Sequence, residues 1–115
     1  MEPDEYWERL FLELLGERFE VTVCRDNATA ERLLSTEIPD IVVGELALAD
    51  GPSYGLLEQL RRVKNSAALP VVIFSRINTL PDIEAALNLG VSGYFVKGQD
   101  TVNDVHKLLL TFNTI

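Results

Sequence analysis

The sequence predicts an α/β domain, a doubly wound parallel sheet with helices on both faces. Helix-length amphipathic stripes alternate along the chain with short apolar runs. The later runs are Ile41-Val42-Val43-Gly44, Pro70-Val71-Val72-Ile73-Phe74 and Tyr94-Phe95-Val96. They are continuous and rich in β-branched residues, as strands buried on both faces are. At 115 residues there is room for one hydrophobic core, so residues 1–115 are expected to form a single domain.

The first helix is expected over 3–16. Trp7, Leu10, Phe11, Leu14 and Leu15 fall on one stripe, Pro3 suits the first turn, and Asp4 and Glu5 suit the positive end of the helix dipole. Gly16 marks its stop. Residues 19–24 alternate apolar and polar and read as a strand. Asn27 is placed to cap a helix from Ala28 to about Thr36 that buries Ala30, Leu33 and Leu34. Pro39-Asp40 breaks the chain before the short strand that ends at Glu45. Asp50-Gly51-Pro52-Ser53 is a turn cluster, followed by a helix to about Val63 with Leu56, Leu57 and Leu60 inward. After the strand opened by Pro70, Thr79 and Asp82 have capping-box spacing for a helix that buries Ile83, Ala86 and Leu87 and stops at Gly90. The strand 93–96 leads to Gly98-Gln99-Asp100. The last helix starts near Thr101 and buries Val102, Val105, Leu109 and Phe112. The pattern contains five helices and four strands.

Composition excludes several function classes. The chain holds ten Lys and Arg against eighteen Asp and Glu, a net charge of −8, and the basic residues are scattered, so no nucleic-acid-binding surface is expected. No apolar run approaches a membrane span, and a cytoplasmic location is the simplest expectation. Cys24 is the one cysteine and reads as a small buried hydrophobe, which rules out an internal disulfide. His106 has no second ligand at metal-binding spacing and reads as a surface residue. Arg61-Arg62-Val63-Lys64 reads as a solvated helix end, where cations suit the dipole. No glycine-rich phosphate loop and no Ser-His-Asp set is present.

Three residues carry the functional signal. Glu45, Ser75 and Lys97 each close a buried strand, so a carboxylate, a hydroxyl and an ammonium are expected to meet at the C-terminal edge of the sheet. Open α/β sheets place their sites there. Pro39-Asp40-Ile41-Val42-Val43-Gly44-Glu45, the run from Pro70 to Ser75, and Gly90-Val91-Ser92-Gly93-Tyr94-Phe95-Val96-Lys97 together resemble the receiver domain of two-component response regulators. The resemblance implies a flavodoxin-like fold of strand order 2-1-3-4-5. It implies Glu45 at the phosphoacceptor position, Ser75 and Tyr94 at the hydroxyl and aromatic switch positions, and Lys97 at the phosphate-site lysine.

Four departures from that family are legible. Glu45 replaces the phosphorylated Asp. Gly98 stands where a proline usually follows the lysine. The loop from Leu46 to Gly55 is longer than the common form, with Ala49 where a proline is usual. The family's first strand, which ends in a metal-holding pair of acids, looks absent. Counting back from Glu45 places the second acid near Met1 and the first before it, while Asp4 and Glu5 read as helix-start residues. Mg²⁺ is therefore not expected as a cofactor, and no metal ligand or catalytic residue is assigned.

The reading that follows is a pseudo-receiver that signals by protein–protein interaction and is not phosphorylated at Glu45. Between Glu45 and Lys97 two roles stay open, a plain ion pair and an imitation of the phosphorylated state. The resemblance implies a partner or dimer face over 81–89, 93–96 and 101–112, and the acidic balance favours a basic partner. The absent strand would leave open sheet edges, for which self-association is the expected repair, direct pairing of the flanking strands or a partner's strand being the others. Two alternatives remain. One is an ordinary phosphoacceptor receiver altered by truncation or by an Asp-to-Glu change. The other is a flavodoxin-like domain that binds a small ligand.

Overall fold

The computed structural model describes residues 1–16, 19–62 and 69–112. In chain order its elements are α1 (Glu5–Leu15), α2 (Asn27–Thr36), β1 (Val42–Gly44), β2 (Ala47–Leu48), β3 (Gly51–Pro52), α3 (Tyr54–Arg62), β4 (Val71–Ser75), α4 (Leu80–Asn88), β5 (Gly93–Val96) and α5 (Val102–Phe112). Strands β1, β4 and β5 form a parallel sheet with β4 in the middle, Val42 beside Val71 and Val72 beside Gly93. This is the 3-4-5 part of the expected order. Val63 and Lys64, read from sequence as part of a helix end, lie outside the described residues.

The continuous apolar run of β4 does what its pattern predicts, since every residue from Val71 to Ser75 is buried. Alternate side chains feed opposite faces. Val72 and Phe74 pack with Phe11 and Leu15 of α1 and Val105 and Leu109 of α5. Val71 and Ile73 pack with Leu57 and Leu60 of α3 and Ala86 of α4. Helix α2 adds a smaller cluster in which Ala30 meets Cys24 and Leu56.

The N-terminal side departs from the sequence reading. The strand expected over 19–24 does not form. A strand needs a ladder of backbone bonds to a neighbour, and the neighbour here is only Met1 and Glu2. Glu2 N–H donates to Cys24 O at 2.8 Å. On the other side Met1 N donates to Val43 O at 2.9 Å, and Glu45 N–H donates to Met1 O at 3.0 Å. Met1 and Glu2 thus lie between β1 and Cys24 in parallel register, and no strand precedes α1 among the described residues. Residues 19–24 and β1 do not pair directly, so a cleft separates them.

Smaller corrections concern helix ends and rotations. Asp26, not Asn27, caps α2, by accepting from Thr29 N–H. Asp4 caps α1 by accepting from Tyr6 N–H, which leaves Pro3 outside the helix. Leu33 and Leu87 are exposed, at 40% and 51%, because each helix is rotated to favour its neighbour in the stripe, Ala30 or Ala86. Thr79 makes no backbone cap, and its hydroxyl bonds the Asp82 carboxylate instead. Phe112 is partly buried. His106 is half-buried beside Phe19 and not on the open surface.

Candidate functional site

The sheet delivers Glu45, Ser75 and Lys97 to one edge because each directly ends or follows one of three adjacent parallel strands. Lys97 N–H donates to Ser75 O at 2.8 Å, which fixes the lysine backbone beside the end of β4. From there the side chain turns inward and donates to Glu45 Oε1 at 3.0 Å. The two side chains are 3% and 5% exposed, so this is a buried ion pair. The Lys97 ammonium also lies 5.5 Å from the centre of the Trp7 ring and 5.8 Å from that of Phe74, where ring quadrupoles favour a cation.

The Glu45 carboxylate is fully engaged. Oε1 also accepts from Arg76 N–H at 3.2 Å, and Oε2 accepts from Ala47 N–H at 3.3 Å. The backbone of Glu45 is held as well, since its carbonyl accepts from the Ser53 hydroxyl at 3.0 Å. A buried carboxylate tolerates that position only with such partners.

The sequence reading missed Glu2. Its carboxylate is buried and takes Lys97 Nζ at 2.8 Å to Oε1 and 3.0 Å to Oε2. Oε2 also accepts from Asp4 N–H. One ammonium therefore sits between two carboxylates, one from the N-terminal residues and one from the end of β1. Burial pushes the Glu2 carboxyl above its ordinary 4.5, and the hydrogen bonds from Lys97 and Asp4 N–H oppose that shift without cancelling it. Counting back from Glu45 had pointed to Met1, one residue away. Asp4 caps α1 and Glu5 opens it, as helix-start residues. Among the described residues no group of three or more His, Cys, Asp and Glu is arranged to hold a metal ion.

Ser75 is fully buried, and its Oγ accepts from Ile77 N–H at 3.0 Å. Tyr94 is half-buried, and its hydroxyl donates to Ile77 O at 2.6 Å, so both bind the strand end after β4 and neither hydrogen-bonds Glu45. Burial pushes the Tyr94 phenol up. Past Lys97 the chain reverses at Gly98, whose φ of +91° few other residues adopt. The Asp100 carboxylate closes this turn by accepting from Val96 N–H at 2.8 Å.

The long loop after Glu45 is a hairpin of β2 and β3, antiparallel, with Leu48 beside Gly51. At its tip Asp50 accepts from Asn27 N–H at 2.8 Å and from Ala28 N–H at 3.2 Å, which fastens the loop to the start of α2. Arg61 is not the solvated helix-end cation the sequence suggested. Its guanidinium donates to Leu69 O, Leu89 O and Gly90 O at 2.9–3.0 Å, joining α3 to the chain before β4 and to the end of α4.

Known proteins resemble this chain in sequence pattern and in fold. The sequence pattern of the response regulator receiver domain matches residues 5–109. The transcriptional regulatory protein GlrR of Escherichia coli (strain K12) is 28% identical over 91 residues, which cover 79% of this chain and 20% of GlrR. The chain therefore spans about a fifth of that relative. Among solved structures, a two-component response regulator from Clostridium difficile superposes with a TM-score of 0.85 at 20% identity, covering 97% of this chain and 90% of that one. A CheY-like receiver domain protein from Methanospirillum hungatei JF-1 does so with a TM-score of 0.83 at 16% identity, covering 97% and 89%. These likenesses fix the fold as the flavodoxin-like receiver fold. With the family pattern running through nearly its whole length, the chain belongs to the response regulator receiver domain family of two-component signal transduction.

Proposed function

We propose that the chain is a pseudo-receiver, a receiver domain that signals through protein contacts, has no catalysis of its own and takes up no phosphoryl group at Glu45. One observation carries this reading: the Glu45 side chain is 5% exposed, with both carboxylate oxygens already bonded to Lys97, Arg76 N–H and Ala47 N–H. Phosphoryl transfer to a carboxylate depends on positioning an open nucleophile and on cations that neutralise the moving charge. Here the nucleophile position is closed, and the cation is a side chain of the domain.

The residues present do not fit Mg²⁺. That ion requires octahedral oxygen ligation, and the two carboxylates at hand, Glu2 and Glu45, are both spent on Lys97 Nζ, which occupies the space between them. Between the two roles for Glu45, the geometry supports the ion pair. An imitation of the phosphorylated state would place Ser75 on the carboxylate, and Ser75 Oγ instead takes Ile77 N–H.

For partners we propose the face over 81–89, 93–96 and 101–112, where Leu87 of α4 and Leu110 of α5 are exposed at 51% and 36%. The occupant would be a protein; neither nucleic acid nor membrane fits an acidic surface with no described helix long and apolar enough to span a bilayer. A cytoplasmic location goes with this reading. Intact mass after incubation with acetyl phosphate and Mg²⁺ tests it. The expected result is an unmodified chain, and a Mg²⁺-dependent adduct on Glu45 would overturn the reading in favour of an altered phosphoacceptor receiver.

A further inference from the structure

Helix α3 holds α4 at both ends. Tyr54, which opens α3, donates its hydroxyl to Asp82 Oδ1 at 3.0 Å and lies 3.4 Å from Asp82 O, at the start of α4. About two helical turns further on, Arg61 donates to Leu89 O at 2.9 Å and Gly90 O at 3.0 Å, past the end of α4. Between these grips in sequence, Leu57 and Ala86 are buried in one core cluster. The two grips take different groups from α4. Arg61 uses carbonyls that any helix end leaves open. Tyr54 uses a carboxylate that α4 could turn to its own start.

Thr79 and Asp82 have the spacing of a capping box. In that box the N-cap hydroxyl accepts from the N–H three residues on, and the acid there accepts from the N-cap N–H. The same Thr-x-x-Asp spacing opens α5, and there the box is complete. Asp104 N–H donates to Thr101 Oγ at 3.2 Å, and Thr101 N–H donates to Asp104 Oδ2 at 2.8 Å. At α4 neither bond forms among the described residues. The Thr hydroxyl donates to the Asp carboxylate at both helices, so that contact does not separate them. Pro81 does not explain the difference either, because the box uses no N–H from that position. What Asp82 has, and Asp104 lacks among the described residues, is a phenol on Oδ1. Burial and then the Asp82 carboxylate push the Tyr54 phenol up to about 12, so it stays a donor at neutral pH. We infer that the Tyr54 hydroxyl is a latch that withholds Asp82 from the cap of α4, giving the start of α4 two alternative states, latched to α3 or boxed as α5 is. Opening the latch leaves the Arg61 grip at the far end and frees the start of α4 to swing about it. Ser53, directly before Tyr54, donates to Glu45 O, so the latch stands next to the carboxylate site, while α4 supplies 81–89 of the proposed partner face. The effect on partners rests on the protein-contact reading. The latch itself does not, so the phosphorylation result and the results below can fail separately.

The test is amide hydrogen exchange, read residue by residue by NMR on the full 115-residue chain. In the parent, Thr79 and Asp82 N–H should be about fivefold less protected than Thr101 and Asp104 N–H, the ratio that a cap bond of ordinary strength produces. Tyr54→Phe keeps the ring and removes the latch. It should raise protection at Thr79 and Asp82 by about the same fivefold and leave Thr101 and Asp104 unchanged. Adding Thr79→Val removes the acceptor of the box, and the gain at Asp82 should vanish. Equal protection of the two motifs in the parent would overturn the inference without any variant. So would a Tyr54→Phe chain with Thr101 and Asp104 protection intact whose Thr79 and Asp82 amides exchange as before or faster. A gain at Asp82 that survives Thr79→Val would overturn it as well.

Discussion

Replacing Lys97 by methionine removes the one cation between two buried carboxylates and keeps most of the side-chain volume. Lys97, Glu2 and Glu45 are 3%, 6% and 5% exposed at their side chains, so solvent cannot stand in for the ammonium. Removing one member of a buried pair costs roughly 3–5 kcal/mol, because the partner stays behind without compensation. A domain of this length carries about 6–17 kcal/mol of stability, so the variant folds and its loss is measurable. The loss should shrink as the pH falls from about 7 to about 5, since a protonated carboxyl needs no counter-ion. Urea unfolding at both pH values, with unchanged slope, reads the difference directly. The triple variant Glu2→Gln/Glu45→Gln/Lys97→Met should recover most of the loss. A Lys97→Met penalty under ~1 kcal/mol, the range of exposed pairs, or a penalty independent of pH would refute the view that this ammonium is the buried counter-ion of the site.

Two further outcomes follow from the same geometry. Because burial raises the Glu2 carboxyl above 4.5, the native state holds that proton more tightly than the unfolded chain; its stabilising contribution is full below pH 4.5 and is lost as the pH rises through the folded value. Stability of Glu2→Gln relative to the parent should therefore change with pH above 4.5. The hydrogen-bonded carboxylates Asp26, Asp50 and Asp104, lowered from 3.8, act in the opposite sense and only below that value, so a flat difference curve above 4.5 would show that Glu2 is not buried. Arg61→Ala should cost about 2 kcal/mol by stripping a charged donor from three backbone carbonyls; a thermal-melt loss below ~0.5 kcal/mol would mark it as an ordinary surface cation.

The parts of the fold legible in the sequence are those where one pattern has one physical meaning. β4 is apolar at successive positions because both its faces are covered, and no helix stripe or surface strand reads that way. Its neighbours β1 and β5 were legible from the same short apolar runs, although β5 is only half-buried, and the three strand ends then placed Glu45, Ser75 and Lys97 together. Where the outcome depends on a distant element, the sequence was silent. Residues 19–24 have strand alternation, but a strand requires a partner ladder that Met1 and Glu2 supply at one rung. Leu33 and Leu87 have the right spacing for burial, yet a small rotation of α2 or α4 gives the inner position to an alanine. Glu2 and Arg61 both resemble charges that decorate helix ends. What distinguishes them is a tertiary contact, with Lys97 at a separation of 95 residues for Glu2 and with Gly90 at 29 for Arg61. The one available hint, the count back from Glu45, missed by a single position.

That the cation of this site is the Lys97 side chain has a consequence of its own. A dissolved ion fills a site according to its concentration, whereas a cation carried on the chain is present at fixed stoichiometry and at an effective concentration set by the tether. The pairing of Glu2 with Glu45 through Lys97 thus ties β5, the N-terminal residues and the end of β1 to one another at that fixed stoichiometry. Such a site couples charge to geometry: any displacement of β5 or of the N-terminal residues would change the distances on which its charge balance depends.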